Sequence, residues 1–99
     1  MVDYFESLGI ELDQIEELMN VYDSSILSSI DLDNMKKIVK EMEKEGLRLE
    51  EIRDILSIDL ELFTYDVSFI QERWEILKEK YPKDYLDKII ESPELLYEG

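Results

Sequence analysis

Apolar residues recur along almost the whole chain at the three- and four-residue spacing of an α-helix. The clearest stripe consists of Leu12, Ile15, Leu18, Met19 and Tyr22. A stripe of this kind gives a helix one apolar face to bury and leaves the other face polar. Comparable stripes run through residues 35–42, 49–56, 69–77 and 85–90. The pattern predicts an all-α fold of about five to seven short helices.

Residues suited to helix ends separate these stripes. Gly9 and Gly46 follow helical segments, and glycine accepts the left-handed conformation that closes many helices. Aspartate and serine side chains cap the N-termini of helices. The candidate N-caps are Asp31 or Asp33 for one helix and Asp66 or Ser68 for another. We therefore expect short helices, closely connected, in a single compact domain over residues 1–99.

Composition supports a single folded unit and limits both its cross-links and its cellular location. At 99 residues, 44% of them apolar, the chain can bury one modest core. It contains no cysteine, so neither disulfides nor thiolate metal sites can support the fold. No apolar run approaches the roughly 18 residues that cross a bilayer, and the first residues lack a basic segment followed by an apolar one. We expect a cytoplasmic protein that makes no membrane contact.

Three sets of apolar residues can be aligned as an internal repeat. Ile15, Leu18 and Met19 match Ile52, Ile55 and Leu56, and these match Leu86, Ile89 and Ile90. The offsets are 37 residues, from 15 to 52, and 34 residues, from 52 to 86. Each set follows a helical segment and precedes a short apolar turn, which is typical of helical repeats. The spacing predicts degenerate helix-turn-helix repeats over residues 1–31, 32–65 and 66–99.

The third of these units also resembles a known family. Residues 76–82 end in Tyr81-Pro82, and residues 92–96 are Ser-Pro-Glu-Leu-Leu. This part, best over residues 74–97, is similar to the repeat of mitochondrial transcription termination factor (mTERF) proteins, in which a helix pair ends in a Pro-x-Leu-Leu turn. The resemblance implies a helical-repeat architecture and a basic surface that holds nucleic acid. A net charge of −15 provides no such surface, so we transfer the architecture and not the activity.

Acidic residues are unevenly distributed along the chain. The net charge of −15 is well beyond the magnitude of about 2–8 that is typical of small domains. Residues 1–35 contain nine carboxylates and neither Lys nor Arg, whereas all eleven basic residues lie later. Solubility alone does not require this segregation, but a surface that binds a basic partner favours it. The N-terminal third is therefore the predicted binding region.

Catalysis and specific metal binding have little support in the sequence. Histidine and cysteine are both absent, which removes the usual general base, the usual nucleophiles, and the nitrogen and sulfur metal ligands. Asp31, Asp33 and Asn34 alternate as in a calcium loop, but Met42 stands where that loop needs its glutamate. Helix capping explains these residues better. We expect a protein that is not an enzyme, with no cofactor and no metal.

Two hypotheses for function remain, with self-association as a third. In the first, carboxylates replace phosphates in the groove of a basic, nucleic-acid-binding protein. Phage-type acidic inhibitors such as anti-CRISPR proteins resemble this chain in size, acidity and lack of catalytic residues. The predicted partner-binding residues are Glu11, Asp13, Glu16, Glu17, Asp23, Asp31 and Asp33.

In the second hypothesis, a helical-repeat surface binds a segment of another protein, and the acidic residues serve solubility. In the third, the chain is a homo-oligomeric regulatory protein, whose copies must overcome their mutual repulsion. Direct binding of nucleic acid is expected in none of the three, because phosphates and carboxylates repel.

Overall fold

The computed structural model describes residues 2–98, which form a helical protein without strands. Over these residues the α-helices are α1 (Val2–Ser7), α2 (Leu12–Val21), α3 (Ser24–Ser28), α4 (Leu32–Lys44), α5 (Leu49–Ile58), α6 (Val67–Lys80) and α7 (Tyr85–Glu91). A first 3₁₀ helix spans Leu60–Thr64 and a second spans Pro93–Leu96. The prediction of an all-α domain of five to seven short helices is confirmed. Among the described helices, none combines the length and the apolar character needed to cross a bilayer.

Two glycines end helices as the sequence predicts. Gly9, after α1, has a φ of 89°, and Gly46, after α4, has a φ of 112°. Beyond Gly46 the N–H of Leu47 donates back to the carbonyl of Met42 at 3.0 Å, which closes the C-terminus of α4. Side chains with a Cβ are strained at such angles, and glycine is not.

Aspartates begin the two longest helices. The carboxylate of Asp31 accepts hydrogen bonds from the N–H groups of Asp33, at 2.9 Å, and Asn34, at 3.3 Å. Asp66 accepts from the N–H of Ser68 at 3.0 Å and also from its hydroxyl. Of the alternatives that the sequence offered, Asp31 and Asp66 are the N-caps. Each satisfies N–H groups that have no partner within the helix.

The core lies mainly among α4, α5, α6 and the two 3₁₀ helices. α4 packs against α6 and the first 3₁₀ helix, and the second 3₁₀ helix packs against α6 and α7. α4 buries four side chains of one stripe, Met35, Ile38, Val39 and Met42. Trp74, on the stripe of α6, is only 1% exposed and belongs to the same core. The apolar stripes therefore fold inward as their spacing predicts.

α2 and α3 lie at the edge of this core. α2 buries only Ile15 and Leu18 fully, and α3 buries no residue fully. The hydroxyl of Tyr22, just after α2, accepts a hydrogen bond from the N–H of Leu60 at 3.0 Å and donates one to the carbonyl of Ile58 at 3.2 Å. This pair of bonds fixes the end of α2 to the end of α5. The rest of α2 keeps a broad face in solvent.

Two stripe residues differ from their predicted burial. Leu12 is 55% exposed and Leu49 is 42% exposed, although both continue the apolar stripes of their helices. Each is the first residue of its helix. Helical side chains point toward the N-terminus, so a side chain at the first position reaches past the end of the helix and not over the core.

The order of elements recurs along the chain. Two helices and a short helical turn follow one another in α1 to α3, in α4 to the first 3₁₀ helix, and in α6 to the second. The radius of gyration is 13.0 Å, in line with the roughly 13 Å of a compact domain of about 100 residues. It stays a prediction that the three parts repeat one unit and that the third is related to mTERF repeats.

Candidate interaction surface

The outer side of α2 holds a group of carboxylates. At 3.6 residues per turn, Asp13, Glu16 and Glu17 stand on one side of the helix, away from the buried Ile15 and Leu18. All three acidic side chains are exposed. Residues three and four positions apart on a helix have Cβ atoms about 5–6 Å apart, so these carboxylates form one patch. We call Asp13, Glu16 and Glu17 the α2 acidic face.

No ion pair within residues 2–98 neutralises the α2 acidic face. The ion pairs of this part of the chain join Arg48 to Glu50 and Glu51, and Lys78 to Glu45 and Glu75. All of these residues follow α4. Carboxylates that face solvent without ion-pair partners repel one another, and a cationic partner relieves that repulsion. The α2 acidic face is therefore suited to binding a basic surface.

Two further predicted residues flank the α2 acidic face. Glu11 is the N-cap residue of α2; its side chain is exposed, and its N–H donates to the Oε1 atom of Gln14 at 3.3 Å. Asp23, after the end of α2, caps α3 by accepting from the hydroxyl of Ser25, at 2.6 Å, and the N–H of Ile26, at 3.0 Å. These hydrogen bonds, that of Ser25 most, lower the pKa of the Asp23 carboxyl below its ordinary range. Asp23 thus stays ionised, but its carboxylate already accepts hydrogen bonds from Ser25 and Ile26 of α3.

The last two predicted residues lie at the start of α4, apart from the α2 acidic face. Asp31 is exposed and caps α4. Asp33 is in the first turn of α4, three and four residues before Lys36 and Lys37. Residues at these spacings are neighbours on a helix surface, so lysines accompany this carboxylate. The structure therefore brings four of the seven predicted residues together on α2 and its N-cap, and the other three have different surroundings.

Basic residues from later in the chain reach part of the N-terminal third. The Nζ atom of Lys36 lies 5.4 Å from the ring centre of Tyr4. The guanidinium of Arg53 lies so close to Gly9 that a Cβ atom added there would collide with it. The segregation of charge along the sequence is thus only partly kept in three dimensions. It is kept best on the α2 acidic face.

A groove opens beside the α2 acidic face, between the ends of α2 and α5. Its lining combines the apolar Leu18, Val21 and Ile58 with the polar Gln14 and Ser57, and Glu17 stands on its rim. Val21 is 72% exposed and Ile58 is 61% exposed. The volume is about 220 Å³, less than the roughly 300–1,000 Å³ of pockets that enclose small-molecule ligands. The α2–α5 groove is therefore sized for a side chain and not for a small-molecule substrate.

Sequence reasoning did not find Val21 or Ile58. Both are aliphatic residues that lie off the apolar stripes of their helices, so a search for stripes passes over them. They are 37 residues apart, the same offset that relates Ile15 to Ile52. The sequence signal that could have found them is an aliphatic residue off the stripe at the same position of two aligned units.

Known proteins add nothing to the geometry of these sites. Comparison with protein families, with curated proteins and with solved structures returns no match. Over residues 2–98, no three acidic side chains converge closely enough to hold a metal ion.

Proposed function

We propose that this protein binds a basic macromolecule through the α2 acidic face and acts as a nucleic-acid mimic, occupying the phosphate-binding groove of a nucleic-acid-binding protein. The supporting observation is that Asp13, Glu16 and Glu17 share one exposed helix face and form no ion pair within residues 2–98. Arg and Lys side chains that hold phosphates bind carboxylates through the same charge-assisted hydrogen bonds. An inhibitor of the anti-CRISPR type would act in this way.

No catalytic step is assigned to these carboxylates. A carboxyl group that acts as a general acid or base near neutral pH needs surroundings that raise its pKa, such as an apolar pocket or a second carboxylate sharing a proton. An exposed helix face surrounds its carboxylates with water. Its acidic side chains are suited to attracting cations, which supports a binding role.

The α2 acidic face contributes to binding as a set. Charges on a surface speed the encounter with an oppositely charged partner and fix its orientation more than they add affinity. Loss of one carboxylate should therefore weaken binding only slightly. Loss of all three should slow association and remove most of its dependence on salt.

The test is capture of partners from a lysate of the source organism at about 0.1 M and about 0.5 M salt, where screening lengths differ roughly two-fold. The bait proteins are the wild type, the triple variant Asp13→Asn/Glu16→Gln/Glu17→Gln and a control. The control, Glu72→Gln/Glu75→Gln/Glu79→Gln, removes the same charge from exposed positions of α6. We expect the wild type and the control to retain a nucleic-acid-binding protein at the lower salt only, and the triple variant to lose it. Equal retention by the triple variant would reject the proposal.

A second candidate is an adaptor that binds a protein segment mainly through apolar contacts. The exposure of Val21 and Ile58 favours it, since exposed aliphatic residues beside a groove mark many interaction sites. Apolar binding depends little on ionic strength. A partner retained equally at both salt concentrations would support the adaptor and not the mimic.

A further inference from the structure

We propose that the α2–α5 groove receives an apolar side chain of the basic partner, from a segment in which that side chain neighbours a Lys or Arg. The inference rests on the proposed function, because it takes the partner to be basic. It adds the position at which the partner is anchored and the chemistry of the segment that enters.

The exposed aliphatic part of the groove lining favours an apolar side chain. Val21 and Ile58 are the two most exposed large apolar residues of the described chain, and they face the same groove. Leu18, only 5% exposed, closes its inner side. Interfaces gain most of their binding free energy where a side chain fills such a pocket and excludes water. An apolar side chain would cover both exposed residues at once.

The groove is held in shape before any partner arrives. The Tyr22 hydroxyl bonds to the N–H of Leu60 at 3.0 Å and to the carbonyl of Ile58 at 3.2 Å, so it joins the helices on both sides. These bonds also satisfy polar groups that would otherwise need water. A site that is already ordered loses little conformational entropy on binding.

The helix ends around the groove favour a cation beside the apolar side chain. α2 and α5 both end here, and neither has a basic residue in its last turn. In contrast α4, α6 and α7 each have a lysine in the last turn. The C-terminal end of a helix carries partial negative charge and attracts cations. Glu17 on the rim adds a full negative charge to the same place.

The charge of the groove decides between two occupants. A second copy of this chain would bring its own net charge of −15 to a site that is already negative. A basic segment instead brings the opposite charge and an apolar side chain together. The occupant that fits both the lining and the charge is an amphipathic basic segment of another protein.

The probes for this inference are two synthetic helical peptides. The first consists of lysine and leucine, with the leucines in one stripe, and in the second alanine replaces every leucine. Their affinities are measured by calorimetry at about 0.1 M salt, where charges still interact over roughly 10 Å. We expect the leucine peptide to bind the wild type about ten-fold more tightly than the alanine peptide, the usual effect of one buried anchor. Methyl NMR signals of Val21 and Ile58 should shift with the leucine peptide.

The groove variant is Val21→Ser/Ile58→Ser, and its matched control is Ile76→Ser. Ile76 is an isoleucine on α6 that is 48% exposed and lies outside the groove. Since all three residues are exposed, the variants should fold, which circular dichroism and the thermal midpoint can verify. We expect the groove variant to bind both peptides equally and the control to keep the ten-fold preference.

Three outcomes would overturn the inference. Unchanged preference for the leucine peptide in the groove variant would reject the groove as the anchor while leaving the α2 acidic face intact. Failure of the wild type to bind either peptide would reject the proposed function as well. A wild-type dimer in sedimentation that the groove variant converts to monomer would identify a second copy as the occupant.

Discussion

The hydrogen bond between Tyr97 and Asp59 shows what single residues contribute to this fold. The Tyr97 hydroxyl donates to Oδ2 of Asp59 at 2.6 Å, and Oδ1 accepts from the N–H of Leu62 at 3.3 Å. Asp59 is only 8% exposed. A buried carboxylate is costly unless its oxygens have such partners. Tyr97 therefore supports the junction between α5 and the first 3₁₀ helix.

Replacing Tyr97 by phenylalanine should lower the free energy of unfolding by about 1.5 kcal/mol, because a hydrogen bond to a charged group is lost. Urea denaturation measures this value. The control is Tyr85→Phe, since the Tyr85 hydroxyl forms no hydrogen bond to another residue within 2–98, and we expect little change there. Equal effects of the two substitutions would mean that the bond to Asp59 adds no stability.

The environment of Tyr97 also leads us to expect a loss of folding stability in alkali. Burial, and then the hydrogen bond to Asp59, raise the pKa of the Tyr97 hydroxyl far above its ordinary value of 10.0. The folded protein then keeps a proton that the unfolded chain releases above pH 10, so the stabilisation is complete below that pH and declines as pH rises. Thermal midpoints between about pH 9 and about pH 11 should fall less steeply in Tyr97→Phe. A steeper fall would contradict this assignment.

Single side chains also place whole elements relative to one another. The Nδ2 atom of Asn34, on α4, donates to the carbonyl of Tyr65 at 2.6 Å, and its Oδ1 atom accepts from the N–H of Val67 at 2.9 Å. The amide thus bonds to both sides of the Asp66 cap. α4 and the start of α6 are held together by this side chain as well as by the core.

The substitution Asn34→Asp tests this link between elements. It keeps an acceptor for Val67 but places a carboxylate against the carbonyl of Tyr65, so we expect a loss of about 1–3 kcal/mol at neutral pH. The new carboxyl needs its proton to donate, and the loss should shrink in acid. Asn20→Asp, at an exposed position of α2, is the matched control. Equal losses in the two variants, by urea denaturation, would exclude a positioning role for Asn34.

The helical elements could be predicted from sequence, and the candidate interaction surface only in part. Apolar stripes and glycine ends are local signals, which is why α4 and its end at Gly46 were found. The α2 acidic face is also local, since Asp13, Glu16 and Glu17 share one helix. Which basic residues approach the N-terminal third depends on packing, and so does the placement of Val21 and Ile58 at one groove. A shared position across 37 residues leaves no mark in the pattern of a single helix.

The net charge acts on the molecule as a whole. At −15, self-repulsion opposes the compact state, and added salt should screen it and raise the thermal midpoint. Glu16 and Glu17 are the fifth and sixth of the ten residues of α2, and neither forms an ion pair within residues 2–98. The variant Glu16→Gln/Glu17→Gln should therefore melt about 1–3 °C higher than the wild type at low salt and gain less from added salt. A lower thermal midpoint of the variant at low salt would show that these carboxylates stabilise the fold and do not serve partner binding alone.

The proposed function requires that the whole molecule compete with nucleic acid for a basic protein. The most direct measurement adds increasing amounts of this chain to the complex of its captured partner with a labelled nucleic acid, and follows release of the label. We predict full release by the wild type and weak release by Asp13→Asn/Glu16→Gln/Glu17→Gln. A stable complex that contains the partner, the nucleic acid and this chain together would contradict nucleic-acid mimicry.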